Sequence, residues 1–272
     1  MTSARTMTPA GRLPRVVASD LDGTLVRTDG TISLRSRAAL RRAEAHGALV
    51  VFVTGRPPRW MAPVAAQTGA SGLAVCANGA MVYDLGSGRL VRQHPLLPDA
   101  AARLVTALRE ALPGVQFAVE NGLTFGHEPG YVPGWPAPDR LIAEVEQLIA
   151  EPVAKLLVKS PGRHPAEIHE RVVTIAGADA VVTYSGDTLL EVSGAGVSKA
   201  SALAALCAES EVAAADVLAF GDMPNDLPML EWAGRAVAVA NAHPEVLGVA
   251  DEVTASNDDD GVAQVLERVF GR

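Results

Sequence analysis

Four short apolar runs in this 272-residue chain each stop at residues able to do chemistry. VVASD ends in Asp20. LVVFVTGR ends in Thr54, Gly55 and Arg56. LAVCANGA ends near Asn78, and VLAFGD ends in Asp222. Helical patterns separate the runs, which predicts an α/β fold with a doubly wound, Rossmann-like parallel sheet. In open sheets of this kind, ligands bind beyond the carboxyl ends of the strands. If the four strands lie parallel in one sheet, their ends meet at one rim. A single such run is more often an ordinary buried strand followed by a polar turn. Four together weigh against that reading.

The helices between the runs carry start and stop signals. Ser33 is placed to cap a helix through LRSRAALRRAEAHG that stops at Gly47. Ser198 is placed to cap KASALAALCAES, and Asp260 or a neighbour to cap VAQVLERVF. The middle of the chain reads differently. From Met81, MVYDLGSGRLVRQH predicts a hairpin turning at Leu85–Gly88. Further helical and strand-like runs follow in an α+β order, with a Pro/Gly/aromatic loop, EPGYVPGWPAP, among them. This predicts a second domain, residues 82–195, inserted into a core made of residues 1–81 and 196–272. Residues 1–13 have no long apolar centre and read as a frayed tail rather than a signal peptide.

Composition narrows the function. Apolar residues make up 49% of the chain, enough for a sizeable core, and the net charge of −8 weighs against nucleic acid or anionic membrane as partners. No apolar run reaches membrane-spanning length. Cys76 and Cys207 lie far apart in apolar contexts and read as buried free thiols of a reducing cytosol, which predicts a cytoplasmic protein. Of 23 basic residues only Lys155, Lys159 and Lys199 are lysines, so a lysine at a helix start stands out.

Asp20 and Asp22 point the same way on an extended backbone, and that juxtaposition costs repulsion unless a cation or a reaction requires it. With Asp222 and Asp226 they would put several carboxylates at one rim. Such a set suits a hard cation, above all Mg²⁺ with a substrate phosphate, and a carboxylate is also a nucleophile toward phosphorus. Alone, the DxD would more often be a turn. Lys199 lies one residue after its cap, where a cation opposes the helix dipole and an anion is welcome. A phosphate there turns the lysine into a ligand. Thr54 and Gly55 offer a hydroxyl and N–H groups for phosphate oxygens, with a plain turn equally open. Arg56 offers a forked donor to substrate, with an internal ion pair equally open.

DLDGTL (Asp20–Leu25), TGR (Thr54–Arg56), Lys199 in GVSKASAL and GDMPNDLPML (Gly221–Leu230) occur in this order. Together they resemble the haloacid dehalogenase superfamily of phosphatases, most of all its Cof-type branch, whose cap domain is inserted between the second and third motifs. NGAMVYD after Asn78 and VTASNDDDGVAQVL near the end fit that branch as well. The resemblance implies Asp20 as the nucleophile and Asp22 as the general acid/base. It implies phosphoryl binding by Thr54 and Lys199. Mg²⁺ would be held by Asp20, the backbone carbonyl of Asp22, and Asp222. Asn225 and Asp226 would complete the site through phosphate contact and metal-water or lysine support. The implied activity is Mg²⁺-dependent hydrolysis of a small phosphorylated metabolite, a sugar phosphate or a phosphorylated cofactor. A phosphomutase using the same Asp pair is the alternative. A receiver-like phospho-acceptor module fits less well, because receivers are far shorter and carry the acceptor mid-domain.

Other features read as structural. SNDDDGVAQVLE nearly fits a calcium loop, but a helix starts straight after Gly261 and DEVTA before it reads as a strand. GAGVSK lacks the glycine a P-loop needs before its lysine. The histidines show no metal spacing beyond a loose pair, His164 and His169. In the inserted part, Tyr131, Trp135, Lys155 and Glu191 are candidates for substrate contact, with packing or solvation the favoured role for each; Arg56 and Asn78, which follow core strands at the expected rim, are the better candidates.

Overall fold

A computed structural model of the chain describes residues 12–271 apart from 136 and 138. The expected tail lies outside the described residues up to residue 11. Arg12, which was assigned to it, is anchored, 3.2 Å from Asp216.

In chain order the strands are β1 (Val16–Ser19), β2 (Leu49–Val53), β3 (Leu73–Cys76), β4 (Met81–Asp84), β5 (Arg89–Gln93), β6 (Gln116–Asn121) and β7 (Thr124–His127). Then follow β8 (Arg140–Ile142), β9 (Lys155–Lys159), β10 (Ala180–Thr183), β11 (Leu190–Gly194), β12 (Val217–Gly221), β13 (Arg235–Ala238) and β14 (Glu252–Val253). The α-helices are α1 (Leu34–Ala45), α2 (Ala62–Thr68), α3 (Pro98–Ala111), α4 (Val145–Leu148) and α5 (Pro165–Ala176). The remaining four are α6 (Lys199–Glu209), α7 (Leu227–Trp232), α8 (Pro244–Val249) and α9 (Gly261–Phe270).

The larger sheet has the order β14-β13-β12-β1-β2-β3-β4-β5. From β14 to β3 every pairing is parallel. The order reverses at β1, so β1, β2 and β12 lie side by side with their carboxyl ends at one rim, where an open α/β sheet places its site. β1 is wholly buried, as the near-continuous apolar run of a strand covered on both faces must be.

The hairpin from Met81 is a correction to the expected boundary. β4 and β5 do not join the second unit. They continue the larger sheet as antiparallel strands, with Cys76 opposite Met81. Met81 and Val82 are buried and cover the otherwise open edge of β3, which is the physical reason for the assignment.

The smaller sheet, β10-β11-β9-β6-β7-β8, is antiparallel except for the β7–β8 pair. It packs its own apolar cluster, with Leu104 and Leu108 of α3 and Ile168 and Val172 of α5 against Phe117 and Leu156. A separate cluster fills the larger sheet and its helices.

The caps follow the sequence in two of three helices. Ser33 accepts from the Ser36 N–H at 2.9 Å, and Ser198 forms a reciprocal capping box with Ser201. Asp260 occupies the cap position of α9 in a left-handed conformation, but its carboxylate accepts from Arg27 at 2.8 Å instead of from the helix. Among the described residues no helix is long and apolar enough to cross a membrane.

Candidate active site

The end of β1 is tied to the end of β12: Asp20 N–H donates to the Phe220 carbonyl at 3.0 Å. That bond sets Asp20 beside Asp222. The turn after Asp20 depends on Gly23, whose φ is +77°. A Cβ there would lie 2.4 Å from Asp222 Oδ2, so no other residue leaves room for that carboxylate. Thr24 then donates its hydroxyl to Asp222 Oδ1 at 2.6 Å.

Lys199 is 1% exposed, at the start of α6. Its Nζ donates to Asp20 Oδ1 and to Asp226 Oδ1, each at 2.6 Å. The other Asp226 oxygen accepts from the N–H groups of Asp222 and Met223, both at 3.0 Å. Asp226 therefore orients both the lysine and the loop that carries Asp222. Burial works against the Lys199 charge, but Asp20 and Asp226 hold its ammonium more firmly protonated than usual. Burial pushes the Asp20 carboxyl well up; Lys199 opposes this, and neighbouring carboxylates add to it. Asp222 is pushed up to about 7 by burial and then by repulsion from Asp226.

Two of the three buried carboxylates, Asp20 and Asp226, thus share one ammonium, with Asp222 beside them. Asp20, Asp222 and Asp226 each offer an oxygen within 4.8 Å of the others. This oxygen-only, charge-deficient set fits a hard divalent cation. The Asp22 carboxylate is not in the cluster. It is more than half exposed and forks onto Arg56, at 2.5 and 2.8 Å. Of the two roles open to Arg56, the structure shows the ion pair.

Thr54 is buried at the end of β2, where its hydroxyl accepts from Arg56 N–H at 3.0 Å. Its carbonyl accepts from Asn78 N–H at 3.0 Å. Asn78 has φ +58°. Its Oδ1 accepts from Asn225 Nδ2 at 3.1 Å and its Nδ2 donates to Glu191 Oε2 at 3.0 Å. Asn78 and Asn225 thus link the strand ends of the larger sheet to the smaller one.

A cavity of about 240 Å³ lies between the two units, with Asp20, Asp22 and Arg56 on one side and Lys155 and Glu191 on the other. Lys155 and Glu191 are packed rather than solvated. Both are buried, they pair with each other, and Lys155 also donates to the Gly55 carbonyl at 2.8 Å. Burial raises the Glu191 carboxyl, but Lys155 and donors from Asn78 and Ser185 bring it below its ordinary value. Trp135 also lines the cavity. Tyr131 does not; it packs at 6.4 Å on Phe125.

Three residues were missed altogether: Arg59, Trp60 and Glu120. Arg59 forks onto the buried Glu120, one arm at 2.7 Å, so another ion pair crosses between the units. The available signal was a charge inside an apolar strand: Glu120 in FAVEN sits in register with Lys155 in VAKLLVK. The acids of the calcium-like loop are engaged by the segment after β1, Asp258 with Thr28 and Asp260 with Arg27.

The strand order sets the buried carboxylate–lysine cluster at the rim of a parallel sheet, under the second unit. Residues 17–266 match the haloacid dehalogenase-like hydrolases, and the chain belongs to that family. It is 28% identical over 276 residues to 5-amino-6-(5-phospho-D-ribitylamino)uracil phosphatase YitU of Bacillus subtilis, covering 94% of this chain and 98% of that one. It is 28% identical over 267 residues to pyridoxal phosphate phosphatase YbhA of Escherichia coli, covering 93% and 97%. The fold is similar to that of the phosphatase BT1666 of Bacteroides thetaiotaomicron, with a TM-score of 0.83 at 23% identity over 98% of this chain and 99% of that one.

Proposed function

We propose that this enzyme is a Mg²⁺-dependent phosphomonoesterase that hydrolyses a small phosphorylated metabolite through an aspartyl-phosphate on Asp20. The observation that carries the reading is the double contact of Lys199 with Asp20 and Asp226, beside Asp222, at the rim of a parallel sheet. Residues 94–195, with the smaller sheet, act as the cap over this site, and the larger sheet with the two flanking segments acts as the core. The names of the two curated relatives point to phosphorylated cofactors and their precursors as the substrate range.

The chemistry assigns each residue a task. Asp20 attacks phosphorus, a bond forms from its carboxylate oxygen, and the bond to the leaving alcohol breaks. Asp22 gives that alcohol its proton. Asp22, now a carboxylate, takes a proton from the water that attacks the aspartyl-phosphate, and inorganic phosphate leaves. Lys199, the Thr54 hydroxyl, the Gly55 N–H and Asn225 hold the phosphoryl oxygens. The charge of a phosphoryl group in transit is what such a cradle must neutralise. Arg56 holds Asp22 in place. Asp20, the Asp22 carbonyl and Asp222 would hold Mg²⁺, which supplies further charge neutralisation; Asp226 supports the lysine. The pairing of both cysteines with nothing supports a cytoplasmic location.

Phosphate release from a panel of phosphorylated metabolites tests the reading. It is expected to collapse in chelator and return with added Mg²⁺. Full activity in chelator would remove the metal from the proposal.

A further inference from the structure

We propose that Lys155 is a positioning residue: from the smaller unit it fixes the Gly55–Arg56 peptide and, through it, aims the Thr54 hydroxyl at the phosphoryl group. The proposal rests on the phosphatase reading above, and its test separates the two.

Residues 54–56 leave β2 as a short turn whose three carbonyls find partners on two different sides. The Thr54 carbonyl accepts from Asn78 N–H at 3.0 Å and the Arg56 carbonyl from Ala77 N–H at 2.9 Å. Both donors lie just after β3, the neighbour of β2 in the larger sheet. The Gly55 carbonyl between them takes its bond from the other unit, from the Lys155 ammonium at 2.8 Å. Lys155 is 2% exposed and is anchored by the buried Glu191. A buried carbonyl needs a partner, and for the middle one of this turn that partner comes from β9.

The contact reaches further because a peptide group is planar. The Gly55 carbonyl and the Arg56 N–H turn as one body. At the far end of that plane, Arg56 N–H donates to Thr54 Oγ1 at 3.0 Å. One peptide is thus held at both ends, by Lys155 across the unit boundary and by Thr54 beside it. Glycine restrains its adjoining peptide planes least, so this plane is the part of the turn that most needs a clamp.

The rest of Thr54 is already set. It is buried, its N–H donates to the Val75 carbonyl at 2.8 Å, and its carbonyl is held by Asn78. A hydroxyl has one hydrogen and two acceptor positions. With Arg56 N–H in one acceptor position the hydrogen points elsewhere, and among the described residues no group accepts it. It is left for a phosphoryl oxygen. Without Lys155 the plane turns, its N–H leaves Oγ1, and the hydroxyl hydrogen loses its direction. Contact between the two units therefore completes the phosphoryl cradle.

The test is a double-mutant cycle on Lys155→Met and Thr54→Val, read as the single-turnover rate of p-nitrophenol release from p-nitrophenyl phosphate. Thr54→Val should lower the rate about 10²–10³-fold, as loss of one donor to a reacting oxyanion does. Lys155→Met should lower it about 10–100-fold in the wild type, the scale of a small misplacement. In Thr54→Val, where no hydroxyl remains to be aimed, it should cost under about threefold. Where circular dichroism shows Lys155→Met to be poorly folded, Lys155→Met/Glu191→Met takes its place. Glutamine is avoided at 191 because Glu191 Oε1 lies 3.8 Å from a Cβ built on Gly55, and an amide there would bring a new donor. Losses that multiply would make Lys155 a structural residue and overturn the proposal while the phosphatase reading stands. If no ester is hydrolysed by the wild type, the phosphatase reading falls, and the cycle is read instead in calorimetric binding of inorganic phosphate with Mg²⁺ present. Weakening by Lys155→Met of about tenfold in the wild type, and none in Thr54→Val, keeps the positioning role. Equal binding by all four forms, or by none, overturns it as well.

Discussion

Lys155 reaches from the smaller sheet to the larger one, where its ammonium donates to the Gly55 carbonyl at 2.8 Å while pairing with the buried Glu191. Lys155→Met would strand the Glu191 carboxylate without its cation. Breaking one side of a buried pair costs about 3–5 kcal/mol, whereas replacing both sides is often near neutral. The expected outcome is a large fall in the urea midpoint for Lys155→Met and recovery of most of it in Lys155→Met/Glu191→Gln. Strictly additive losses would show that the two residues are not coupled.

Lys199→Ala removes the one ammonium shared by Asp20 and Asp226. Loss of a charge-assisted contact to a reacting phosphoryl group lowers kcat/KM by about 10²–10³. Circular dichroism verifies the fold of the variant. A loss under about threefold would make Lys199 a structural residue only.

Gly23 and Gly30 form a controlled pair. Both have positive φ, +77° and +81°, so alanine costs each about 1–2 kcal/mol of backbone strain. A Cβ at Gly30 meets nothing within 4 Å, whereas one at Gly23 strikes Asp222 Oδ2 at 2.4 Å. Similar thermal destabilisation is therefore expected, with activity lost only in Gly23→Ala. Equal activities would mean that Asp222 has no fixed position to defend.

Asp22→Asn keeps the shape of the acid/base but removes its proton, an effect of about 10²–10⁴-fold. An aryl phosphate needs little help to expel its leaving group, so dephosphorylation of Asp20 should suffer more than its phosphorylation. The expected trace is a burst of phenol followed by a slow steady state, with acid-trapped phosphoprotein. Equal losses for aryl and alkyl esters without a burst would refute the two roles given to Asp22.

Burial raises the Cys76 thiol to about 12 and the Cys207 thiol to about 11. Both stay protonated in the folded protein at pH values where the unfolded chain, with thiols near 8.5, has ionised. The native state then holds more protons, so stability is intact below about pH 8.5 and declines above it. Cys76→Ala should remove part of that alkaline decline in denaturation curves at pH 8 and 10. Neither cysteine should alkylate at pH 8 without denaturant. Rapid labelling would place a thiol at the surface.

The strand-end motifs were legible because parallel topology turns a one-dimensional pattern into a shared rim. Asp20, Thr54 and Asp222 needed only that rule. The cap at Ser198 was equally local. What the sequence hid was pairing between distant segments. Arg59 with Glu120, and Lys155 with Gly55, are set by how one sheet lies on the other, and no periodicity encodes that. The hairpin from Met81 was placed in the wrong unit for a similar reason. Its alternation identifies a hairpin but not the sheet whose edge it covers, and β3 decides that.

The chain leaves the larger sheet after β5 and returns after β11, and the two passages touch. A Cβ on Gly194 would lie 2.8 Å from the Pro95 carbonyl oxygen. The two crossings pack backbone against backbone there, and a side chain larger than glycine at position 194 would have to push them apart.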